Sequence, residues 1–305
     1  MTRRLFLFAA YDRDGIIDAC LLHYLTQLST LGDIVFVMDN DASDFEIDKV
    51  KQIPNVLYAS ATRHGEYDFG SYKRAYIWAR DNNLLKKYDW VYLVNDSVYG
   101  PFSSLEPMLL RMESAGADLT GMAEYSDRTT PSHVQSWFVG LGKSIVKTDL
   151  LDKFMNGVSR EKSKAAIIRK YEVGLSCTFL RAGFKMFTLM ENNSDTTHVL
   201  YDTPLTALNM GIPFIKKRAI SSIPQFCYLY SYTDDGVVLD AVLDNANRVG
   251  IFVPHTTKKY ARVYRLSVFG IPLITIFKNT KHPQYKVCLF DIVPLIKFTF
   301  HGNWE

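Results

Sequence analysis

Four short apolar runs, each ending in a polar cluster and separated by segments of helical spacing, constrain the fold of this chain more than any other feature. Arg4–Ala10, Asp33–Met38, residues 56–59 and residues 90–94 read as strands. The second is an unbroken Ile-Val-Phe-Val-Met run of the kind buried on both faces of a sheet. Between the first two, Ile16, Cys20, Leu21, Tyr24, Leu25 and Leu28 recur at three to four residues. Residues 72–82 carry the same spacing through Tyr76, Ile77 and Ala79. Strands alternating with helices predict an α/β fold with a mostly parallel central sheet and right-handed crossovers. In such sheets ligands bind outside the carboxyl ends of the strands. The polar clusters fall there: Asp39-Asn-Asp41 after the second strand and Asn95-Asp-Ser97 after the fourth.

Further along, residues 118–122 and 136–142 read as strands and 147–154 as a helix. Residues 160–180 are helical in part, with Gly174 expected to interrupt them. The pattern becomes less regular from Ser221, and residues 244–255 resemble a linker. A division into a main domain, 1–243, and a small β-rich appendage, 244–305, follows. The appendage holds an internal repeat in which Tyr264-Arg-Leu-Ser-Val-Phe-Gly-Ile-Pro-Leu-Ile aligns with Tyr285-Lys-Val-Cys-Leu-Phe-Asp-Ile-Val-Pro-Leu-Ile, with Val293 inserted. Pro272 and Pro294 exclude a continuous helix through either copy. The copies read as hairpin-like arms or as a membrane-touching surface.

A net charge of +3 over 305 residues gives no electrostatic case for nucleic acid as a partner. Charge is instead concentrated late in the chain. Arg248, Lys258, Lys259, Arg262, Arg265, Lys278, Lys281, Lys286 and Lys297 there face only Asp291 and Glu305. Cys20, Cys177, Cys227 and Cys288 are far apart and form no Cys-x-x-Cys pair, which points to free thiols in a reducing compartment. The apolar run Leu5–Ala10 is too short for a signal-peptide core. No stretch reaches the roughly 18 apolar residues of a spanning helix. The expected location is cytoplasmic, peripheral on the inner face of the cytoplasmic membrane, with residues 258–305 as the candidate contact.

Three stretches carry candidate chemistry. Arg63-His-Gly-Glu-Tyr-Asp-Phe-Gly-Ser-Tyr-Lys-Arg74 packs cations, carboxylates and two glycines between a strand and a helix. Its glycines would let backbone approach a ligand, and Lys73 and Arg74 on the first helical turn would welcome an anion. A charged loop with local salt bridges is the competing reading. Asp96, at the rim of the sheet between Asn95 and Ser97, is a candidate ligand for a divalent cation that bridges to a diphosphate. Asn-Asp-Ser is also an ordinary turn sequence. Glu172 lies in an apolar segment, a setting that would raise its pKa toward the range of a general base.

At these motifs the chain resembles the rhamnan synthesis protein F family of polysaccharide-assembly glycosyltransferases. The matching segments are Phe8-Ala-Ala-Tyr-Asp12, Gly65-Glu-Tyr-Asp-Phe-Gly-Ser-Tyr72, Asn95-Asp-Ser-Val-Tyr-Gly-Pro101, Gln135-Ser-Trp-Phe138, Tyr171-Glu-Val-Gly-Leu-Ser176 and Gly211-Ile-Pro-Phe-Ile-Lys216. The family is similar in layout to GT-A glycosyltransferases. The resemblance therefore implies a nucleotide-diphosphate sugar donor, a lipid-linked or oligosaccharide acceptor, and inverting transfer of a hexose or deoxyhexose. It assigns Asp39, Arg63, Gly65, Glu66, Asp68, Gly70, Lys73, Arg74, Asn95 and Asp96 to the donor, Gln135 and Trp137 to the acceptor, and the base to Glu172. Where GT-A enzymes carry an Asp-x-Asp metal motif this chain reads Asn95-Asp96-Ser97. Asp96 is thus the one carboxylate of that motif left to bind Mn2+ or Mg2+, the first acid being absent. Two rivals are a noncatalytic glycan-binding or scaffold subunit and a nucleotidyltransferase. The latter usually has a Gly-rich loop after the first strand, where Tyr11-Asp-Arg-Asp-Gly15 offers one glycine.

Overall fold

Alternation of side chains along each buried strand decides how the main unit is layered. The computed structural model describes residues 2–191, 198–233, 235–254, 260–268, 271–279, 284–289 and 293–299. The chain divides into two units, Met1–Lys217 and Arg218–Glu305. In the first, β1 (Arg4–Ala10), α1 (Ala19–Ser29), β2 (Asp33–Met38), α2 (Asp44–Lys51), β3 (Val56–Ala61), α3 (Tyr67–Asp81) and β4 (Trp90–Asn95) follow in βα alternation. Next come β5 (Val98–Tyr99), α4 (Glu106–Ser114), β6 (Leu119–Tyr125), β7 (His133–Val134), β8 (Phe138–Gly142), α5 (Lys143–Val146) and α6 (Asp149–Asn156). The unit ends with α7 (Lys164–Ile167), α8 (Val173–Arg181), β9 (Met186–Met190), α9 (Val199–Asp202), α10 (Pro204–Asn209) and β10 (Ile215–Lys216).

The central sheet runs β3-β2-β1-β4-β8-β6-β7, with β9 also on β6. Neighbours among β3, β2, β1 and β4 are parallel, β8 is antiparallel to both β4 and β6, and β9 is parallel to β6. Phe6, Phe8, Ile34, Phe36 and Met38 face one layer with Leu21, Tyr24, Leu25 and Leu28 of α1. Leu5, Leu7, Ala9, Val35 and Val37 face the other with Phe69, Tyr72, Ala75, Tyr76 and Ala79 of α3. Both faces are therefore covered, which is why the runs are continuously apolar. Each fully buried Leu, Ile, Val or Phe contributes about 1.5–3 kcal/mol.

Several boundaries differ from the sequence reading, each for a physical reason. Helix α3 begins at Tyr67, so Lys73 and Arg74 lie in its second turn and not its first. Gly174 does not interrupt its segment. It sits inside α8, where burial of Val173, Leu175, Ser176 and Phe179 outweighs its poor helix propensity of about 1 kcal/mol. The irregularity falls just before it, as a π turn over Ile168–Glu172. The strand expected from Ser136 starts at Phe138, leaving Gln135, Ser136 and Trp137 as a short connection from β7 that turns at Ser136 and Trp137.

The second unit also corrects the sequence. Its helix α11 (Gly236–Val249) runs through the 243/244 division and through the first part of the expected linker. Asp235 caps its start by accepting from Val237 N, and Gly250, at φ 73°, ends it in the left-handed conformation that glycine adopts without strain. The contact division falls earlier, at Lys217/Arg218. The repeat forms β11 (Tyr260–Val268), β12 (Ile271–Asn279), β13 (Gln284–Leu289) and β14 (Val293–Thr299), an antiparallel meander. Pro272 and Pro294 pair with Ser267 and Cys288, each beside a break in register, so the missing N–H groups coincide with bulges. His255, Lys258, Lys259, Lys281, Asp291 and Glu305 lie outside the described residues. No helix among the described residues is long and apolar enough to cross a membrane.

Candidate active site

The strand order turns back between β1 and β4, since β2 and β3 lie on one side of β1 and β4 on the other. A crevice opens at the carboxyl ends of strands at such a reversal. Asp96 N donates to Ala9 O at 3.3 Å, which fixes the turn after β4 against the end of β1. Asn95 is buried and fully engaged. Its Oδ1 accepts from Ser97 N at 3.1 Å and from Ser97 Oγ at 2.6 Å, and its Nδ2 donates to Asp68 Oδ2 at 2.9 Å. The first turn of α3 is thereby tied to the end of β4.

Asp39 closes the neighbouring corner. Its buried carboxylate accepts from both His64 N and Gly65 N at 2.8 Å through Oδ1. Among the described residues no partner binds Oδ2. Gly65, at φ 69°, adopts the left-handed conformation that turns its N–H inward. Arg63 donates to Asp39 O at 3.0 Å and lies over Tyr11. His64 accepts from Glu66 N through Nδ1 and so donates from Nε2 to Ser71 Oγ at 3.0 Å. Burial, followed by the Arg74 charge, lowers its pKa and keeps it neutral, against the pull of Asp39.

The rest of this loop is knitted to itself. Arg74 pairs with Glu66 at 2.7 Å and donates to Gly70 O, and Lys73 donates to Val158 O at 2.7 Å. At Gly70 a Cβ would stand 2.3 Å from Glu66 Cβ and 2.8 Å from the His64 ring, so glycine is required there by the loop's own side chains. The polar groups of Glu66, Lys73 and Arg74 and the carbonyl of Gly70 thus bind protein, the contacts that a charged loop with local salt bridges makes.

Three carboxylates gather beyond it. Asp68, Asp96 and Glu172 each keep some contact with solvent, yet burial is the largest influence on all three. A carboxylate that touches water and is still strongly desolvated lies in a recess and not on an open face. Burial, then the nearby Asp96 charge, pushes Asp68 up to about 7, with Glu172 adding to the rise and Lys216 opposing it. Burial also raises Asp96, against the attraction of Lys217, whose Nζ is 3.3 Å from Asp96 Oδ2.

Strand β10 ends in Lys216, and Lys217 follows it as the first residue of a 3-10 turn. The strand pairs antiparallel with β5, placing Lys216 opposite Val98, and Lys217 N donates to Ser97 O. Lys216 is buried, donates to Ser97 Oγ at 3.0 Å and stands over the ring of Trp137. Desolvation pushes its pKa down to about 7, against Glu172 and Asp68.

Glu172 closes the π turn, a feature frequent at functional sites. Its Oε2 accepts from Ser136 N at 2.9 Å and, through a very short bond, from Ser136 Oγ, while Oε1 is 3.6 Å from His133 Nε2. The expected rise in its pKa does not occur. Burial raises it, but His133 and Ser136 together outweigh that and hold the carboxyl below its ordinary range. His133 moves the other way: burial lowers its pKa, and the bonds to Glu172 and Pro131 O more than restore it. Gln135 Nε2 lies 3.4 Å from Glu124 O and from His198 Nε2, and Trp137 is buried against Phe138 and Phe214, its indole N–H unpartnered among the described residues.

The sequence missed Lys216, Lys217, His133 and Ser136 as members of this site. For the lysines the available signal was the pair of cations closing Gly211-Ile-Pro-Phe-Ile-Lys216-Lys217, an apolar run that ends as the parallel strands do. A divalent cation does not fit the residues present. Asn95 Oδ1 is saturated by Ser97, Asp96 is paired with Lys217, and among the described residues no group of three His, Cys, Asp or Glu suits a metal.

Comparison with curated proteins finds no match. A family model described as rhamnan synthesis protein F matches residues 34–289, which take in the main unit from β2 onward, with Asp68, Asp96, Glu172 and Lys216, and most of the second unit. The chain belongs to the rhamnan synthesis protein F family, a family of polysaccharide assembly.

Proposed function

We propose that the protein is a GT-A-type glycosyltransferase that moves a hexose or deoxyhexose from a nucleotide-diphosphate sugar to a growing surface polysaccharide, with inversion at the anomeric carbon. The observation that carries this reading is the recess at the strand reversal, where Asp68 feels the charges of Asp96, Glu172 and Lys216, and Lys216 those of Glu172 and Asp68. Asp39, with Oδ1 committed to the loop amides, keeps Oδ2 for a ribose hydroxyl. In the transfer, an acceptor hydroxyl oxygen bonds to the anomeric carbon from the face opposite the leaving group. The bond from that carbon to the diphosphate oxygen breaks, its electron pair leaves with the nucleoside diphosphate, and the hydroxyl proton passes to Glu172. Glu172 is suited to this by being held ionised and oriented by Ser136 and His133. Gln135 and Trp137, on the same connection as Ser136, border the acceptor side.

A second reading places the base at Asp68, whose pKa near 7 matches a proton acceptor working at neutral pH. The acceptor is lipid-linked or an oligosaccharide. The β11–β14 sheet meets the inner membrane surface through a face on which Leu266 and its register partner Ile274 are both exposed.

A panel of nucleotide sugars scored by thermal shift tests the donor, since a ligand at a hundred times its Kd adds about 2.7 kcal/mol of stability. Turnover with the stabilising donor, and the anomeric configuration of the product read by NMR, then test the transfer. Donor binding without turnover on any acceptor supports the noncatalytic rival. A protein that no nucleotide sugar stabilises is not this enzyme.

A further inference from the structure

A transferase that breaks a bond to diphosphate must neutralise the charge that develops on the departing oxygen. In a metal-dependent site a divalent cation held by two carboxylates does so. Here the first acid is replaced by Asn95, whose carbonyl oxygen is occupied by Ser97, and the second is neutralised by Lys217. The cations expected from the sequence, Lys73 and Arg74, are turned to Val158 O, Glu66 and Gly70 O.

Two other cations reach this turn. Lys216 closes β10 and Lys217 opens the 3-10 turn that follows it, so the two side chains start from adjacent backbone positions. One ammonium contacts Ser97 Oγ at 3.0 Å and the other Asp96 Oδ2 at 3.3 Å, and together they bracket the Asn95–Ser97 turn. Lys216 is the more telling of the two. It is buried, and among the described residues its ammonium has no carboxylate within ion-pair distance, only a hydroxyl and the Trp137 ring. A buried ammonium without a counter-ion is costly to keep and is explained when an anion completes the site.

We propose that Lys216 and Lys217 form the subsite for the donor's diphosphate and stabilise its departure in place of a metal ion. The inference rests on the glycosyltransferase reading. Lys216 takes one phosphate oxygen directly, with Ser97 Oγ beside it. Lys217 exchanges part of its contact with Asp96 for the second phosphate, and Asp96 keeps that ammonium aimed into the recess.

The test is calorimetric titration of the full chain with inorganic pyrophosphate, UDP and dTDP, in EDTA and again with Mn2+. The variants are Lys216→Met, Lys217→Met and Lys216→Arg, each checked for folding by circular dichroism. Wild-type binding to at least one probe should survive EDTA. Each methionine variant should weaken it tenfold or more, while Lys216→Arg, which keeps the charge and stacks on an aromatic face, restores most of the affinity. Wild-type binding that requires Mn2+, or lysine variants with unchanged affinity, would overturn the lysine subsite and leave the transferase reading standing. A wild type that binds none of the probes in either condition removes both.

Discussion

The ammonium of Lys216 stands over the face of Trp137, 4.6 Å from the ring centroid. An aromatic face attracts a cation by about 0.5–2 kcal/mol, less than the cost of stripping an ammonium of water. The imbalance explains why desolvation drives the pKa down to about 7 even with Glu172 and Asp68 pulling it up; Lys164 pushes the same way as desolvation. Unfolded, the same lysine holds its proton to about 10.4. Between those values the unfolded state binds more protons, so stability rises with pH, and the penalty is fully present below about pH 7. Lys216→Met is therefore expected to be more stable than the wild type near pH 6, by ~1–2 kcal/mol, or about 2–4 °C in Tm for each kcal/mol. The gain should shrink steadily toward pH 10. Melting curves across that range check it, and a variant less stable than wild type at pH 6 would show that Lys216 is satisfied by the protein alone.

The two carboxylates that compete for the role of base are separable by mutation. With Glu172 as base, Glu172→Gln should keep donor affinity and lower turnover by about a hundredfold or more. Asp68→Asn should cost less than tenfold. The opposite ranking moves the base to Asp68. Ionisation of Glu172 is also supported by His133, so His133→Gln should raise its pKa and shift the acid limb of the turnover profile to higher pH. An acid limb that stays in place would show that His133 does not tune Glu172.

How much of this was legible in the sequence depends on the range of the interaction. The strands β1 and β2 were legible to the residue because both their faces are buried, which writes a continuous apolar run. The positions of Asp39 and Asp96 just after β2 and β4 were legible because each follows an apolar run that marks its strand. The partners of Glu172 were not. Ser136 and His133 reach it from 36 and 39 positions away, and the π turn that aims it leaves no periodic trace. For Lys73 and Arg74 the sequence left an anion site and local salt bridges both open: Glu66 lies eight positions from Arg74, but Val158, which takes Lys73, lies 85 positions away and could not be read. The end of α11 was misread as linker because Asp244, Asn245 and Asn247 resemble turn residues, whereas Asn245 and Ala246 lie on its buried side.

At the opposite end of β1 from the recess, Arg4 and Glu113 make a buried pair, with Nε to Oε1 at 2.5 Å and a second bond from Nη2 to Oε2 at 2.8 Å. Tyr92 donates to the same Oε1 at 2.8 Å. Removing one partner of such a pair strands a buried charge, which typically costs about 3–5 kcal/mol. Glu113→Ala should lower the urea midpoint accordingly while donor affinity in the surviving folded protein stays within about twofold, because the pair touches no site residue. A loss below about 1 kcal/mol would mean that water enters and solvates Arg4.

The β11–β14 sheet is expected to be dispensable for donor binding and needed for full activity on a lipid-linked acceptor. Leu266 and Ile274 are register partners and both are exposed. Ile274 also faces Leu289, and two residues along the same face Ile276 faces Val287, both only partly buried. Side chains directly paired across strands share a face, so these residues form an apolar stripe. The strands also carry Arg262, Arg265, Lys278, Lys286 and Lys297, and each basic residue near an anionic leaflet contributes about 1 kcal/mol. Short apolar segments flanked by cations suit shallow contact at the headgroup level. Two changes probe this. Truncation at Lys258 should leave donor affinity intact and abolish cosedimentation with anionic vesicles. Because β11 also packs on Phe226–Ser231, truncation can uncover apolar surface and aggregate the protein. The pair Leu266→Ser and Ile274→Ser, which changes only exposed positions, therefore serves as the second variant. It should fold, bind donor normally and lose vesicle binding by about tenfold. A truncated or serine-substituted protein that still pellets with anionic vesicles as well as the full chain removes the membrane role from this sheet.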